Sequence, residues 1–142
     1  MEGKVSVTVE SVSSFAGMQD TLRFSGFGEL QKTDYGWHLH YTAANDVDGS
    51  VVYSDIKLEK ESKRAVVINE TDQYGYGLLL DTKATTATKI EAGGGALVLN
   101  VAAHEISWDL GKKQGYLILD YTLLEGLQPM SSLHLRLDLQ QE

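Results

Sequence analysis

The sequence predicts an all-β protein whose antiparallel strands close into a barrel, with little or no helix. Apolar and polar residues alternate with a period of two along most of the chain, which is typical of strands with one buried and one solvated face. Clusters of Gly, Asp and Asn interrupt this alternation roughly every 8–12 residues, the turn spacing of a barrel or a sandwich. No window shows an apolar stripe at helical spacing.

The alternation is clearest towards the two ends of the chain. Residues 4–11 (KVSVTVES) place every valine on one face, and residues 132–140 (SLHLRLDLQ) do the same with leucine. The other predicted strand segments are 20–32, 36–43, 50–60, 63–70, 76–82, 86–92, 95–102, 104–110 and 115–124. This pattern predicts about eight to eleven strand segments, with short turns joining antiparallel neighbours.

Two observations favour a closed barrel over a sandwich. Gly26 and Gly28 fall in the middle of a predicted strand, where glycine marks a bulge or a sharp bend at a barrel corner. The segments 20–32 and 115–124 are also long, and a long exposed strand edge invites aggregation. Closure of the sheet removes such edges, so we expect a barrel, with a β-sandwich as the alternative.

Length and composition predict one soluble domain spanning residues 1–142. The net charge of −8, from 20 acidic and 12 basic residues, disfavours nucleic acids and anionic membranes as partners. The chain has no cysteine, so disulfides, thiolate catalysis and cysteine-ligated zinc are excluded. The start MEGKVSVTVE has no apolar signal core and no apolar run is long enough to span a membrane, which predicts a cytoplasmic protein.

The stretch GWHLHYTA, residues 36–43, contains the one pattern that suggests a metal site. His38 and His40 are two residues apart, so their side chains share one face of a strand. Trp37, Leu39 and Tyr41 occupy the opposite face and form the obvious core set. The histidines are therefore expected on the solvated outer face, and we predict no metal and no cofactor.

Other catalytic patterns are absent from the sequence. It contains neither a G-x-S-x-G nucleophile motif nor a complete phosphate-binding loop. Asp120 lies on a rather apolar face of the segment 115–124, which suggests partial burial and a shifted pKa. We favour the alternative interpretation, an outward acid near an interface or edge, because carboxylates are seldom buried unpaired.

Aromatic residues are the best candidates for ligand contacts, because five of them fall on the faces predicted to point inward. In a small barrel, such side chains either fill the interior or line a cavity that holds one ligand. The filled interior is the commoner outcome, because protein interiors are close-packed. The five candidate ligand-binding residues are Phe24, Trp37, Tyr41, Trp108 and Tyr121.

Taken as a whole, the chain resembles the YwiB-like family of bacterial proteins, a domain of unknown function grouped with the calycins, the lipocalin-type barrels. The resemblance rests on the start VSVTVESV, on DTLRFSGFGEL, on an aromatic strand closing at Tyr41 and on GYLILDYTLL near the C-terminus. It implies a calycin-like barrel over nearly the whole chain and names no substrate. The chain departs from the family pattern at TAAND (42–46), NET (69–71) and EAGGGALV (91–98). If these positions form a shared site in the family, the resemblance implies that this chain has lost that site or changed its ligand.

Three functions follow, in decreasing order of support. The first is a non-enzymatic binding module that encloses a small apolar or amphipathic ligand. The alternative is a structural barrel with a filled core, which docks a protein partner or a second copy through exposed residues such as Val51 and Tyr53. The third is a metal-dependent hydrolase that uses the two histidines with Glu29 or Asp55.

Overall fold

The structure is a computed structural model that describes residues 1–92 and 94–142, with the side chains of all of these except Glu91 and Ala92. The described part contains ten strands and no helix, so the all-β prediction is confirmed. No helix in it is long and apolar enough to cross a membrane. The strands are β1 (Gly3–Phe15), β2 (Met18–Lys32), β3 (Gly36–Asn45), β4 (Val51–Glu59), β5 (Arg64–Glu70), β6 (Gly75–Asp81), β7 (Thr86–Ala92), β8 (Gly95–Leu110), β9 (Gln114–Glu125) and β10 (Gln128–Gln141).

The ten strands form one closed antiparallel barrel. Each strand pairs with the next along the chain, and β1 also pairs with β10. The closing register sets Val5 opposite Gln141 and Ser14 opposite Ser132. Every strand therefore has two neighbours, which confirms the barrel and shows that the sandwich alternative is wrong.

The two faces of each strand separate as the alternation predicts. The valines of β1 are buried at positions 5, 7 and 9, and Leu137 and Leu139 of β10 are buried beside them. Burying a leucine or valine side chain stabilises the fold by about 1.5–3 kcal/mol. The apolar inner face therefore fixes the register, because a slip by one residue would turn it towards water.

The barrel has two distinct ends. The open end carries the connections at residues 46–50 and 71–74, which follow β3 and β5. The terminal end carries both chain termini, where the Glu142 amide donates to the Lys4 carbonyl oxygen at 3.1 Å. This contact brings the last residue beside the first strand.

The predicted division of residues 95–110 into two strands is wrong. The segments 95–102 and 104–110 belong to a single strand, β8, whose register with β9 shifts between Ala103 and Glu105. Before this β-bulge the odd-numbered residues 101 and 103 point inward, and after it the even-numbered residues 106 and 108 do. The bulge broke the alternation in the sequence and so resembled a turn. The three glycines at 93–95 also predict a turn; Gly93 lies outside the described residues, and Gly95 is the first residue of β8.

Gly26 and Gly28 produce a close strand approach rather than a bulge. The pairing of β2 with its neighbours shows no register shift at either position. A Cβ atom added at Gly26 would lie 1.9 Å from the Thr42 carbonyl oxygen, and one at Gly28 would lie 2.2 Å from the His40 carbonyl oxygen. Both glycines therefore let β3 approach β2 more closely than any side chain would permit.

The pairing of β6 with β7 differs from that of the other neighbouring strands. Within the described residues, one register pair joins them, Gly75 with Glu91. Further along, side chains take the place of the backbone ladder. The Thr86 hydroxyl donates to the Leu79 carbonyl oxygen, and the Thr88 hydroxyl donates to that of Gly77. We call this stretch the β6–β7 seam.

Candidate functional site: a cavity at the open end

The barrel interior is not filled up to the open end. A cavity of about 570 Å³ lies there, which is within the usual size range of small-molecule sites. It is lined by inward-facing residues of β1–β6, β9 and β10 and by the loops of the open end. Deeper in the barrel, fully buried side chains such as Leu39 and Leu119 fill the interior.

One wall of the cavity is apolar. Three neighbouring strands, β2, β1 and β10, contribute Leu22, Phe24, Val9, Leu133 and Leu135 to it. These residues continue the inward alternation of their strands, so the core face itself extends into the wall. An apolar ring or chain placed here would gain about 25 cal/mol of free energy for each Å² of apolar surface removed from water.

The floor of the cavity is built from three tyrosines, Tyr41, Tyr76 and Tyr121, on β3, β6 and β9. Tyr41 and Tyr121 are almost completely buried. Burial raises the pKa of the Tyr41 phenol to about 12, and it raises the pKa of Tyr76 and Tyr121 as well. All three phenols therefore keep their protons at neutral pH and can donate hydrogen bonds.

A chain of polar side chains holds this floor in place. The Ser54 hydroxyl donates to Asn69 Oδ1 at 2.5 Å, and Asn69 Nδ2 donates to the Tyr76 oxygen at 3.0 Å. Tyr41 is hydrogen-bonded to Ser54. Because Ser54 and Asn69 take inward positions of β4 and β5, this chain runs across the inner surface of the barrel.

Tyr121 stands apart from this chain. Its side chain is only 4% exposed, yet its hydroxyl has no hydrogen-bond partner among the described residues. Every fully enclosed side-chain nitrogen or oxygen atom in the described part does have a partner. The Tyr121 hydroxyl therefore meets the surface of the cavity rather than the packed core.

Two ordered loops form the rim of the cavity. In the loop at 46–50, Asn45 Oδ1 accepts hydrogen bonds from the backbone amides of Val47 and Asp48 at 2.8 and 3.3 Å. The Asp48 carboxylate accepts hydrogen bonds from the amide and the hydroxyl of Ser50 at 2.9 and 2.7 Å. These hydrogen bonds lower the pKa of the Asp48 carboxyl group. In the second, the Thr71 hydroxyl oxygen accepts the Tyr74 amide at 3.3 Å. The rim is thus prearranged and carries negative charge.

The structure divides the five predicted ligand contacts between the two ends of the barrel. Phe24, Tyr41 and Tyr121 line the cavity at the open end. Trp37 and Trp108 face a separate depression at the terminal end, and they pack against the other side of the core. All five side chains point inward, as predicted, and their role as ligand contacts stays a prediction.

Sequence reasoning missed Ser54, Asn69 and Tyr76. Each has the inward phase of its strand, since Ser54 alternates with Ile56, and Asn69 with Val67. A polar residue at an inward position of a strand was the available signal. Burying such a residue without a partner is costly, so its presence there indicates a polar network or a ligand.

The histidines lie outside the barrel, on the face that the sequence assigned to them. His38 Nε2 lies 2.9 Å from Asp55, and His40 Nε2 lies 3.9 Å from Glu29. Among the described residues, no group of three or more His, Asp or Glu side chains is arranged to hold a metal ion. Asp120 is half-buried on the same outer surface, 2.7 Å from His134, so it is an outward, paired acid.

Fold and cavity together define a small closed antiparallel barrel with a cavity at one end. Among solved structures, the chain is similar to the crystal structure of the ywiB protein from Bacillus subtilis, with a TM-score of 0.75 and 22% sequence identity over 99% of this chain and 93% of that chain. This similarity confirms the YwiB-like fold expected from the sequence, and at this identity it shows the fold alone. No protein-family model and no curated protein matches the chain.

Proposed function

We propose that the protein is a non-enzymatic binding module that holds one small amphipathic molecule in the cavity at the open end. The observation that carries the proposal is the pairing of an apolar wall with a floor of protonated phenols in one cavity of about 570 Å³. The wall would take the apolar part of the ligand, and the floor would take a polar group at its tip. A similar division of apolar lining and few polar groups is usual in ligand sites.

The charges of the lining favour binding over catalysis. Among the described lining residues, the ionisable side chains other than tyrosine are Asp48 and Asp72, and both lie at the rim. General acid–base or nucleophilic catalysis needs a group of suitable pKa beside the reacting atoms, and the floor offers only phenols whose pKa is raised. The net charge of −8 and the lack of cysteine suit a soluble cytoplasmic role.

A neutral dye tests this proposal directly. We expect 6-propionyl-2-(dimethylamino)naphthalene to bind one site per chain, with the blue-shifted emission of an apolar environment. Both tryptophans face the terminal end, so quenching of their fluorescence would not report on this cavity. Dye emission and isothermal calorimetry are the suitable measurements.

Two matched variants locate the dye. Leu22→Trp places a bulky side chain in the cavity mouth and should weaken binding at least about tenfold, because the ligand and the indole need the same space. Leu79→Trp adds the same side chain on the outer face of β6 and should leave binding unchanged. Equal affinities of the wild type and Leu22→Trp would contradict the proposal.

A second candidate function, homodimerisation, is favoured by exposed apolar residues on the outside of the barrel. Phe27 is 64% exposed and Tyr53 is 53% exposed, and both lie opposite Thr42 in the register. Glu29 and Lys57 place charges of both signs on the same face, which allows opposite charges to meet across a two-fold contact. Light scattering should then show a dimer that Tyr53→Lys dissociates, and a monomer at every concentration would refute this candidate.

A further inference from the structure

We infer that the cavity selects a neutral ligand with a carbonyl-type oxygen at its buried end, which accepts hydrogen bonds from Tyr76 and Tyr121. This inference rests on the proposed function and goes beyond it by naming the chemistry that the floor recognises.

The first free donor is the hydroxyl of Tyr76. Asn69 uses its oxygen to accept from Ser54 and its nitrogen to donate to the Tyr76 oxygen. Tyr76 therefore acts as an acceptor in the only hydrogen bond it makes within the described residues, and its own proton is not used. A phenol has one proton to donate, so Tyr76 can still serve one acceptor in the cavity.

The second free donor is the hydroxyl of Tyr121. This side chain is buried and has no hydrogen-bond partner among the described residues, although its hydroxyl reaches the cavity surface. A buried polar group is normally paired, because leaving it without a partner costs free energy. An acceptor supplied by a ligand would complete it.

The two donors belong to the lining of one cavity. Tyr76 and Tyr121 line the same cavity, and after burial, Tyr76 and Tyr41 contribute to raising the pKa of Tyr121. A carbonyl oxygen has two lone pairs and can accept from both hydroxyls at once. The floor thus presents two unused donors to the same cavity, and one carbonyl oxygen is able to accept from both.

The surroundings select a neutral acceptor rather than an anion. Among the described lining residues there is no lysine, arginine or histidine to balance a carboxylate or a phosphate. Asp48 and Asp72 at the rim would repel an anion on entry. Transferring an unpaired charge to the floor would also cost far more than transferring a neutral carbonyl group.

Three naphthalenes of similar size separate these chemistries: 2-acetylnaphthalene, 2-ethylnaphthalene and 2-naphthoate. We expect the acetyl compound to bind about tenfold or more tightly than the ethyl compound, because two hydrogen bonds are gained. The naphthoate should bind most weakly. Calorimetry gives the affinities, and a ¹³C label on the acetyl carbonyl should show the downfield shift of a hydrogen-bonded carbonyl.

The variant Tyr121→Phe keeps the ring and removes one donor. It should weaken binding of the acetyl compound about three- to tenfold, reduce the ¹³C shift, and leave the ethyl compound unaffected. Tyr35→Phe is the matched control, since Tyr35 is 79% exposed at the terminal end. Thermal melting confirms that each variant is folded.

The failure of this inference is distinguishable from failure of the proposed function. If the acetyl and ethyl compounds bind with equal affinity and Leu22→Trp weakens binding of both, the cavity binds ligands without recognising a carbonyl group, and the inference is wrong. If Tyr121→Phe leaves the acetyl preference intact, it is wrong as well. If none of the three compounds nor the neutral dye binds, the proposed function itself fails.

Discussion

At the scale of single residues, Gly28 links the backbone to the floor of the cavity. A Cβ atom at this position would lie 2.2 Å from the His40 carbonyl oxygen and 2.6 Å from Tyr41 Cβ. Neither neighbour can move away, because one is backbone and the other anchors a buried phenol. We predict that Gly28→Ala lowers the free energy of unfolding by about 2 kcal/mol or more, measured by denaturant titration.

Gly77→Ala is the matched control for this prediction. Gly77 also lies within a strand, but the nearest atoms to an added Cβ, Ile68 Cγ1 and the Val67 carbonyl oxygen, are 3.9 Å away. We expect this variant to be neutral or slightly more stable, since alanine restricts the unfolded chain. If both alanine variants lose the same stability, the close approach of β3 to Gly28 is not what requires glycine there.

The residues of the site were only partly predictable from the sequence. Tyr41 and Tyr121 could be assigned to the interior because they alternate with leucines, and the structure confirms that position. The sequence could not show which end of the barrel each aromatic residue occupies. That depends on the register between strands, and it separates Trp37 and Trp108 from the cavity.

At the scale of elements, the strands were predictable where one face is apolar and the other polar. The exception is β8, where the bulge between Ala103 and Glu105 reverses the phase of the alternation. Two strands of opposite phase and one bulged strand give the same sequence pattern. Pairing with the unbroken strand β9 is what makes β8 continuous, and that is a tertiary effect.

The β6–β7 seam leads to a prediction for Thr88. Its hydroxyl donates to the Gly77 carbonyl oxygen where the backbone ladder is missing. Thr88→Val keeps the shape but leaves that oxygen unpaired, which should cost about 1–3 kcal/mol of stability. Hydrogen exchange should also become faster for amides of β6 and β7. The control Thr42→Val, on the exposed face of β3, should change stability by less than about 0.5 kcal/mol.

At the scale of the whole molecule, the buried tyrosines predict loss of stability in alkali. Burial raises the pKa of Tyr41 to about 12 in the folded barrel, whereas a phenol in the unfolded chain ionises near pH 10. Below about pH 10 both states keep the proton, so this contribution is fully present. From about pH 10 to 12 only the unfolded chain releases it, and the free energy of unfolding falls by roughly 2–3 kcal/mol.

Denaturant titrations at increasing pH test this slope, with the ultraviolet absorbance of tyrosinate followed in parallel. A step in tyrosine ionisation should coincide with loss of the strand signal in circular dichroism. Tyr41→Phe should make the slope between about pH 10 and 12 shallower, whereas the exposed Tyr35→Phe should not. An unchanged slope in Tyr41→Phe would show that other groups control unfolding in alkali.

Closure of the barrel distinguishes two circular permutants. The Glu142 amide bonds to the Lys4 carbonyl oxygen, so a short linker can join the termini. The chain is then opened either between Ala16 and Gly17, in the turn from β1 to β2, or between Lys83 and Ala84, beside the β6–β7 seam. The first opening separates β1 from β2 in sequence, and the second separates β6 from β7. In each permutant the separated strands are the first and the last, and pairing them costs roughly 3 kcal/mol of loop-closure free energy.

The strength of the reopened pair should decide which permutant folds. The register of β1 with β2 is continuous from Gly3 opposite Leu30 to Phe15 opposite Met18, so this ladder can offset the closure cost. Within the described residues, β6 and β7 share one register pair and the two threonine hydrogen bonds of the seam, so we expect this strand pair to depend more on its covalent turn. We predict that the permutant opened at the seam melts at the lower temperature and exchanges the amides of β6 and β7 fastest. Equal melting temperatures and equal exchange would show that the seam is as strong as the other strand pairs.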